Sequence, residues 1–407
     1  MAHKEPPILT SAQSPQSYRS PSSEGNRTQP CNLRQFLAYL FRLGAFGFGG
    51  PIALAGHMHH DLVEDRRWVS EQDYVEGLAF SQLSPGPLAA QLAMYLGWIK
   101  GGGLGATLAG AAFVLPSFLL VLVLAALYTH FGRLSWIQGM FYGIGAAVIA
   151  IIVRSAVKLV KTALRRDWFL WAIFTLVAVI TAWTESEKVW LFILCGVAAV
   201  MVKAPPAFLA RPSSLAGIPW FLTGIHGVAT FGTTTSLFLY FAKAGAFVFG
   251  SGLAIVPFLY DGVVRQAHWL TERQFLDAVA VAMITPGPIV ITAAFIGYLV
   301  AGPLGATVAS LGVFAPPYFI VLIGAPYYRR FAQNQQVQAF VHGVTAAAVG
   351  AITGAAFVLG KRAVVDLTTT LIAAVTLALL LTVKKIPEPL LILVAGIIGF
   401  FLFKGPH

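Results

Sequence analysis

Charge is scarce in this chain. Asp, Glu, Lys and Arg make up 11% of its 407 residues, against 57% hydrophobic ones, whereas an ordinary soluble protein is about a quarter charged. A chain in contact with hydrocarbon cannot leave ionised groups facing it, and the deficit points to that solvent. Cysteine is nearly absent: Cys31 and Cys195 give neither a disulfide framework nor a metal-ligand spacing. The apolar runs hold no converging nucleophile, base or metal ligands, and no long polar stretch is available for a signalling domain. The expectation is therefore neither an enzyme nor a receptor, with no cofactor and no metal.

Long apolar runs are present. Leu104 to Tyr128 has no ionisable residue except the terminal tyrosine, and Leu367 to Val383 has none. The first can span about 30 Å of hydrocarbon and the second is near the lower limit. The net charge of +11 does not signal nucleic acid, because Arg165-Arg166, Arg329-Arg330, Lys361-Arg362 and Lys384-Lys385 sit at the ends of apolar runs, as topology determinants do. Trp68, Trp98, Trp183 and Trp190 near span ends suit interfacial belts. Residues 1–32, rich in Ser, Pro, Gln and Asn, read as a disordered tail without a removable signal peptide.

The chain repeats itself. Arg42-Leu43-Gly44-Ala45-Phe46 recurs as Lys243-Ala244-Gly245-Ala246-Phe247, Trp68-Val69-Ser70-Glu71 as Trp269-Leu270-Thr271-Glu272, and Ser84-Pro85-Gly86-Pro87 as Thr285-Pro286-Gly287-Pro288, all 201 residues apart. Leu104-Gly105-Ala106-Thr107 recurs as Leu304-Gly305-Ala306-Thr307 at 200, so one residue is lost between. Register kept over about 100 residues is the mark of a duplication. The expected fold is an all-α integral membrane protein, with repeats at 33–204 and 236–407 and a linker at 205–235. About 10–12 transmembrane segments are expected, some of them broken. In the first repeat these are a Gly-rich helix from about 33 to 54, a polar stretch, a segment at 70–99 broken at 84–87, and helices near 103–128, 136–160, 168–183 and 188–203. The Lys/Arg excess switches repeat from loop to loop: Arg329-Arg330 outnumber their counterpart near 133, whereas Lys161, Arg165 and Arg166 outnumber Lys361 and Arg362. That alternation predicts halves of inverted topology.

Pro-Gly-Pro breaks a helix, and Ser or Thr before it is a good helix start. With Ser84 and Thr285 as N-caps, each motif would turn bare amide hydrogens and a positive dipole end toward a common anion pocket at mid-bilayer. Gly44-Ala45-Phe46-Gly47-Phe48-Gly49-Gly50-Pro51 and Gly245-Ala246-Phe247-Val248-Phe249-Gly250-Ser251-Gly252 read either as lining for the substrate path or as sites of close helix packing. Arg42 and Lys243 would supply countercharge to an anion in the path, or snorkel to the headgroups. Glu76 and Asp277, equivalent carboxylates eight residues before each break, are candidates for proton coupling or for a solvated interface. His57, His59, His60 and Asp61 abut Glu64, Asp65, Arg66 and Arg67 and read as a wet juxtamembrane segment rather than a metal site.

At these residues the sequence resembles the chromate ion transporter family in its long, duplicated form. The matching pattern is Arg42, Phe48-Gly49-Gly50-Pro51, His57, Arg67-Trp68, Gln82, Pro85-Gly86-Pro87 and Gln91, with the variant Phe249-Gly250-Ser251-Gly252, Pro257, Trp269 and Thr285–Pro288 in the second half. Ser251 departs from the glycine frequent there. The resemblance implies a multi-pass protein of the bacterial cytoplasmic membrane that exports chromate and confers resistance, with oppositely oriented halves and Gln91 joining the path residues. The expected cargo is chromate, with sulfate or another oxyanion as the alternative, moved by alternating access. A homodimer is left open.

Overall fold

The computed structural model describes residues 28–48, 50–132, 134–164, 167–185, 189–205, 232–247, 255–328, 334–364, 366–383 and 386–403. Among the described residues all regular structure is helical. The first repeat runs α1 (Leu33–Phe46), α2 (Gly50–His59) with a π-helical continuation His60–Asp65, α3 (Glu71–Leu83), α4 (Leu88–Phe131), α5 (Ser135–Ala163), α6 (Trp168–Thr184) and α7 (Val189–Lys203). The second runs α8 (Thr233–Ala246), α9 (Ile255–Tyr260) with the π segment Asp261–Gln266, α10 (Glu272–Ile284), a 3₁₀ turn Ile289–Ile291, and α11 (Thr292–Gly324). It ends with α12 (Gln335–Ala363), α13 (Leu367–Thr382) and α14 (Glu388–Leu402).

The duplication extends to backbone detail. Both π segments sit at equivalent positions, and each leads to a left-handed residue, Arg67 (φ 52°) and its counterpart His268 (φ 51°). Ser70 and Thr271 then cap α3 and α10 by accepting from the amides of Asp73 and Gln274. The missing residue falls between Pro288 and Phe295, where the second half has 3₁₀ rather than α geometry. Three residues of 3₁₀ rise about as far as four of α, so the deletion leaves the following helix in place.

The Gly-rich helix expected from 33 to 54 is two helices. Gly47 leaves α1 with extended backbone, and α2 turns back along it. Tyr39 donates to the His57 carbonyl at 3.3 Å, and the equivalent Tyr240 donates to that of Phe258 at 2.9 Å. The polar stretch expected after residue 54 is thus the returning arm of a helical hairpin. A second hairpin follows: α3 runs to the break at Ser84–Pro87, and the first part of α4 comes back beside it, with Phe80 and Tyr95 ring centroids 5.3 Å apart. Non-helical Gly101 and Gly102 (φ +59°) then reverse the chain again, and the remainder of α4 is a long apolar helix from about 103. Ala301 and Gly302 (φ +62°) do the same in α11. Gly97 packs on Gly105 and Gly297 on Gly305 so tightly that a Cβ on Gly105 or Gly305 would lie 2.1 Å from a carbonyl oxygen. These turns are where the sequence placed its helix boundary near 103.

Among the described residues four helical stretches can cross a membrane by length and composition, Leu88–Phe131, Trp136–Ala163, Ile289–Tyr327 and Gln335–Lys361, and four more apolar helices are shorter. The halves interlock. The long parts of α4 and α11 meet side by side and run in opposite directions, with Gly103 against Leu322 and Thr107 hydrogen-bonded to Tyr318 at 2.8 Å. Helix α5 packs on α13 and α14 of the other half, and α12 packs on α6 and α7.

Candidate functional site

The Ser/Thr-Pro-Gly-Pro motifs are the tips of the second hairpins. Ser84 and Thr285 do not start the following helix, as the sequence reading expected. Each closes the preceding one: their amides donate to Phe80 and Val281, and the Ser84 hydroxyl donates to the Phe80 carbonyl at 2.7 Å. A hydroxyl committed backwards leaves the cap position to Pro87 and Pro288, neither of which offers a side-chain acceptor. The first amides of the returning helices therefore gain no cap, which keeps the anion-attracting character that the motif predicts.

Each tip docks against the other half. Gly86 (φ +138°) meets Pro317, which a Cβ would approach to 2.5 Å, and Gly287 (φ +94°) meets the hydroxyl of Ser117, 2.3 Å from a Cβ. Ser117 and Pro317 are themselves equivalent positions, so the two contacts form a two-fold exchange. The Gly287 amide also donates to the Gly47 carbonyl at 3.0 Å, joining the second tip to the turn between α1 and α2. Gln91 is fully buried under the first tip, donating to the Ser84 hydroxyl and to the Pro85 carbonyl at 2.7 Å, while its Oε1 has no protein partner.

Among the described cavities, none is lined by both tips. Thr285 and Gly287 line a small pocket of about 20 Å³ with Gly47, Phe48, Gly50 and Glu388, room for about one water. Gly47, Phe48 and Gly50 line this pocket, whereas Gly44 and Gly245 serve packing, since a Cβ on either would lie 2.1 Å from the carbonyl of Phe113 or Val313. Gly49, Gly250, Ser251 and Gly252 lie outside the described residues, as do residues 1–27 of the tail and 206–231 of the linker.

Arg42 and Lys243 are exposed on α1 and α8 and do not line the tip pocket. Glu76 is half-buried, and Gln72 donates to it at 2.9 Å. Its counterpart Asp277 is 5% exposed and receives the Tyr128 hydroxyl at 2.6 Å. His59 and His60 bond the carboxylates of Glu71 and Glu64 on an open cleft, as a wet segment should. The sequence reading missed Arg154 and Glu388, which are 3.2 Å apart. The available signal was an arginine inside the run from Ile149 to Val160.

The halves also differ. A cleft of about 500 Å³ beside α3 is lined by His60, Leu78 and Gln82. Their counterparts Asp261, Val279 and Met283 are buried, at 6%, 0% and 6% exposure, where α10 packs against α5 and α14. The corresponding pair, α12 and α7, makes no extensive contact with α3 among the described residues.

A profile of the chromate transporter family matches residues 34–200 and 235–400, one copy on each half. The chain belongs to the chromate transporter family. It is 53% identical to a chromate transport protein of Cupriavidus metallidurans over 92% of this chain and 94% of that one. A probable chromate transport protein of Synechococcus elongatus is 52% identical over 92% and 96%, and a chromate transport protein of Pseudomonas aeruginosa 32% over 96% and 98%. No solved structure matches the chain. This chromate transporter is a multi-pass membrane protein and not an enzyme.

Proposed function

We propose that this chromate transporter moves chromate outward across the cytoplasmic membrane by alternating access between two oppositely oriented halves, and so confers resistance. The observation that carries the reading is the crossed docking of the hairpin tips, Gly86 on Pro317 and Gly287 on Ser117. It sets helix starts with free amides halfway along the two long helices, where a permeating anion needs them. The opposed directions of α4 and α11 support inverted halves, because homologous helices that run antiparallel place their repeats in opposite senses. The open cleft beside α3 and the closed face over α10 support alternating access: two nearly equivalent halves in unequal states are what one end of such a cycle requires. A negative-inside potential assists export of a dianion by about 2.3 kcal/mol per charge per 100 mV. Arg42 and Lys243 then raise the anion's concentration at the approaches, and Glu76 and Asp277 serve proton coupling. The test is chromate accumulation by inside-out vesicles carrying this protein. Accumulation that resists a large excess of sulfate is the expected result, and accumulation abolished by trace sulfate would make sulfate the cargo.

A further inference from the structure

Glu388 is an anion standing where the cargo is an anion. It is the first residue of α14, between Pro387 and Pro389, and it faces two ways. On one side it lines the small tip pocket with Phe48, Thr285 and Gly287. On the other it accepts from the guanidinium of Arg154 at 3.2 Å, with both side chains about one-third exposed or less. Arg154 rises from a wall of α5 in which Ile151 and Ile152 are fully buried. A cation in that setting requires a partner, and the oxyanion is the one other partner the proposed cycle brings there. The pair belongs to one half only: the counterparts of Arg154 and Glu388 in the sequence are Gly354 and Lys188.

We propose that Glu388 is a tethered counter-ion that competes with the oxyanion for Arg154. As a carboxylate it neutralises Arg154 and fills the mouth of the tip pocket. When it takes a proton from water it becomes a neutral carboxylic acid, and Arg154 is freed to bind the oxyanion beside the tip amides. Binding of cargo and of one proton are thereby linked at this site. The neighbouring elements present few other charges: Arg154 and Lys158 on α5 act on Glu388, α10 carries Glu272, Arg273 and Asp277, and neither the tip nor the α1–α2 turn contributes an ionisable side chain to the pocket. This inference rests on the oxyanion-carrier reading.

The experiment is calorimetric titration of chromate into the full-length protein in lipid nanodiscs at mildly alkaline and mildly acidic pH. Wild type, Glu388→Gln and Arg154→Gln are compared, so that the ligand's own protonation acts alike on all three. At alkaline pH Glu388→Gln is expected to bind about tenfold more tightly than wild type. At acidic pH the two converge, and Arg154→Gln binds weakly at both. Should Glu388→Gln not elute as a monodisperse protein, Glu388→Ser takes its place with the same expected outcomes. The proposal is overturned if the Glu388 variant matches wild type at alkaline pH, or if Arg154→Gln binds as wild type does. Wild type that binds sulfate with this pH pattern but not chromate would overturn the cargo assignment and leave the counter-ion role standing.

Discussion

Tyr128 donates a 2.6 Å hydrogen bond to the carboxylate of Asp277, 149 residues away in the other half. Its counterpart Tyr328 lies where Glu76, the counterpart of Asp277, acts on it electrostatically. Each acid on a hairpin arm therefore faces the tyrosine at the end of the opposite half's long helix. The acid over α10 is buried and the acid over α3 is not, since Asp277 is 5% exposed while Glu76 is half-buried.

This difference sets the cost of removing each tyrosine. A buried acceptor that loses its donor forfeits about 1–3 kcal/mol, whereas one that water can reach recovers much of the loss. Tyr128→Phe is expected to lower the melting temperature of the purified protein clearly, and Tyr328→Phe to leave it close to wild type. Thermal unfolding in one detergent compares them, and equal shifts would contradict the asymmetry.

The packing glycines give a sharper contrast. Gly44→Ala and Gly245→Ala each place a methyl 2.1 Å from a backbone carbonyl that cannot yield. Overpacking of this kind costs about 1–3 kcal/mol or more, and both variants are expected to lose most folded protein in the membrane. Gly56→Ala, on α2 with nothing within 4 Å, gains about 0.8–1 kcal/mol of helix propensity and is expected to express at least as well as wild type. Fluorescence-detected size exclusion reads all three.

At the second tip the obstacle is a side chain. Gly287→Ala meets the Ser117 hydroxyl at 2.3 Å and Cβ at 2.9 Å, so transport is expected to fall at least about tenfold, equivalent to about 1.4 kcal/mol. Removing that side chain in the double variant Gly287→Ala/Ser117→Gly relieves the clash but not the strain of a left-handed alanine, and partial recovery is expected. No recovery would place the defect elsewhere than the crossed contact.

The orientation of the halves is open to labelling. Leu104 and Leu304 occupy equivalent exposed positions just past the turns that open the two long helices. With Cys31 and Cys195 replaced, Leu104→Cys and Leu304→Cys are expected to react with a membrane-impermeant maleimide from opposite sides. Labelling of both in intact cells would exclude inverted halves.

Acid is expected to loosen α13. Asp366 caps that helix by accepting the Thr369 amide at 2.8 Å, and the Tyr142 hydroxyl also donates to it. Foremost through the Thr369 amide, these bonds hold its carboxyl below the ordinary aspartate range. A depressed folded-state value means the contribution is present above the unfolded aspartate value and lost as pH falls through the folded one. Asp366→Asn, which keeps a capping oxygen, is expected to flatten the acid limb of the melting-temperature profile.

The sequence by itself determined the membrane solvent, the duplication, the Pro-Gly-Pro breaks and the helix boundary near residue 103, because hydropathy, repeat register and the backbone limits of proline and glycine are local properties. It pointed to Arg42 and Lys243, which lie exposed, and passed over Arg154 and Glu388, whose meaning depends on their being 234 residues apart and in contact. Only the tertiary structure decided that Ser84 and Thr285 end helices instead of starting them. It alone showed that the glycine-rich helix doubles back and that each tip docks on the opposite half. The reason is physical: a hydroxyl chooses between two backbone partners according to how the chain around it is packed, and contacts between repeats leave no periodicity in either one.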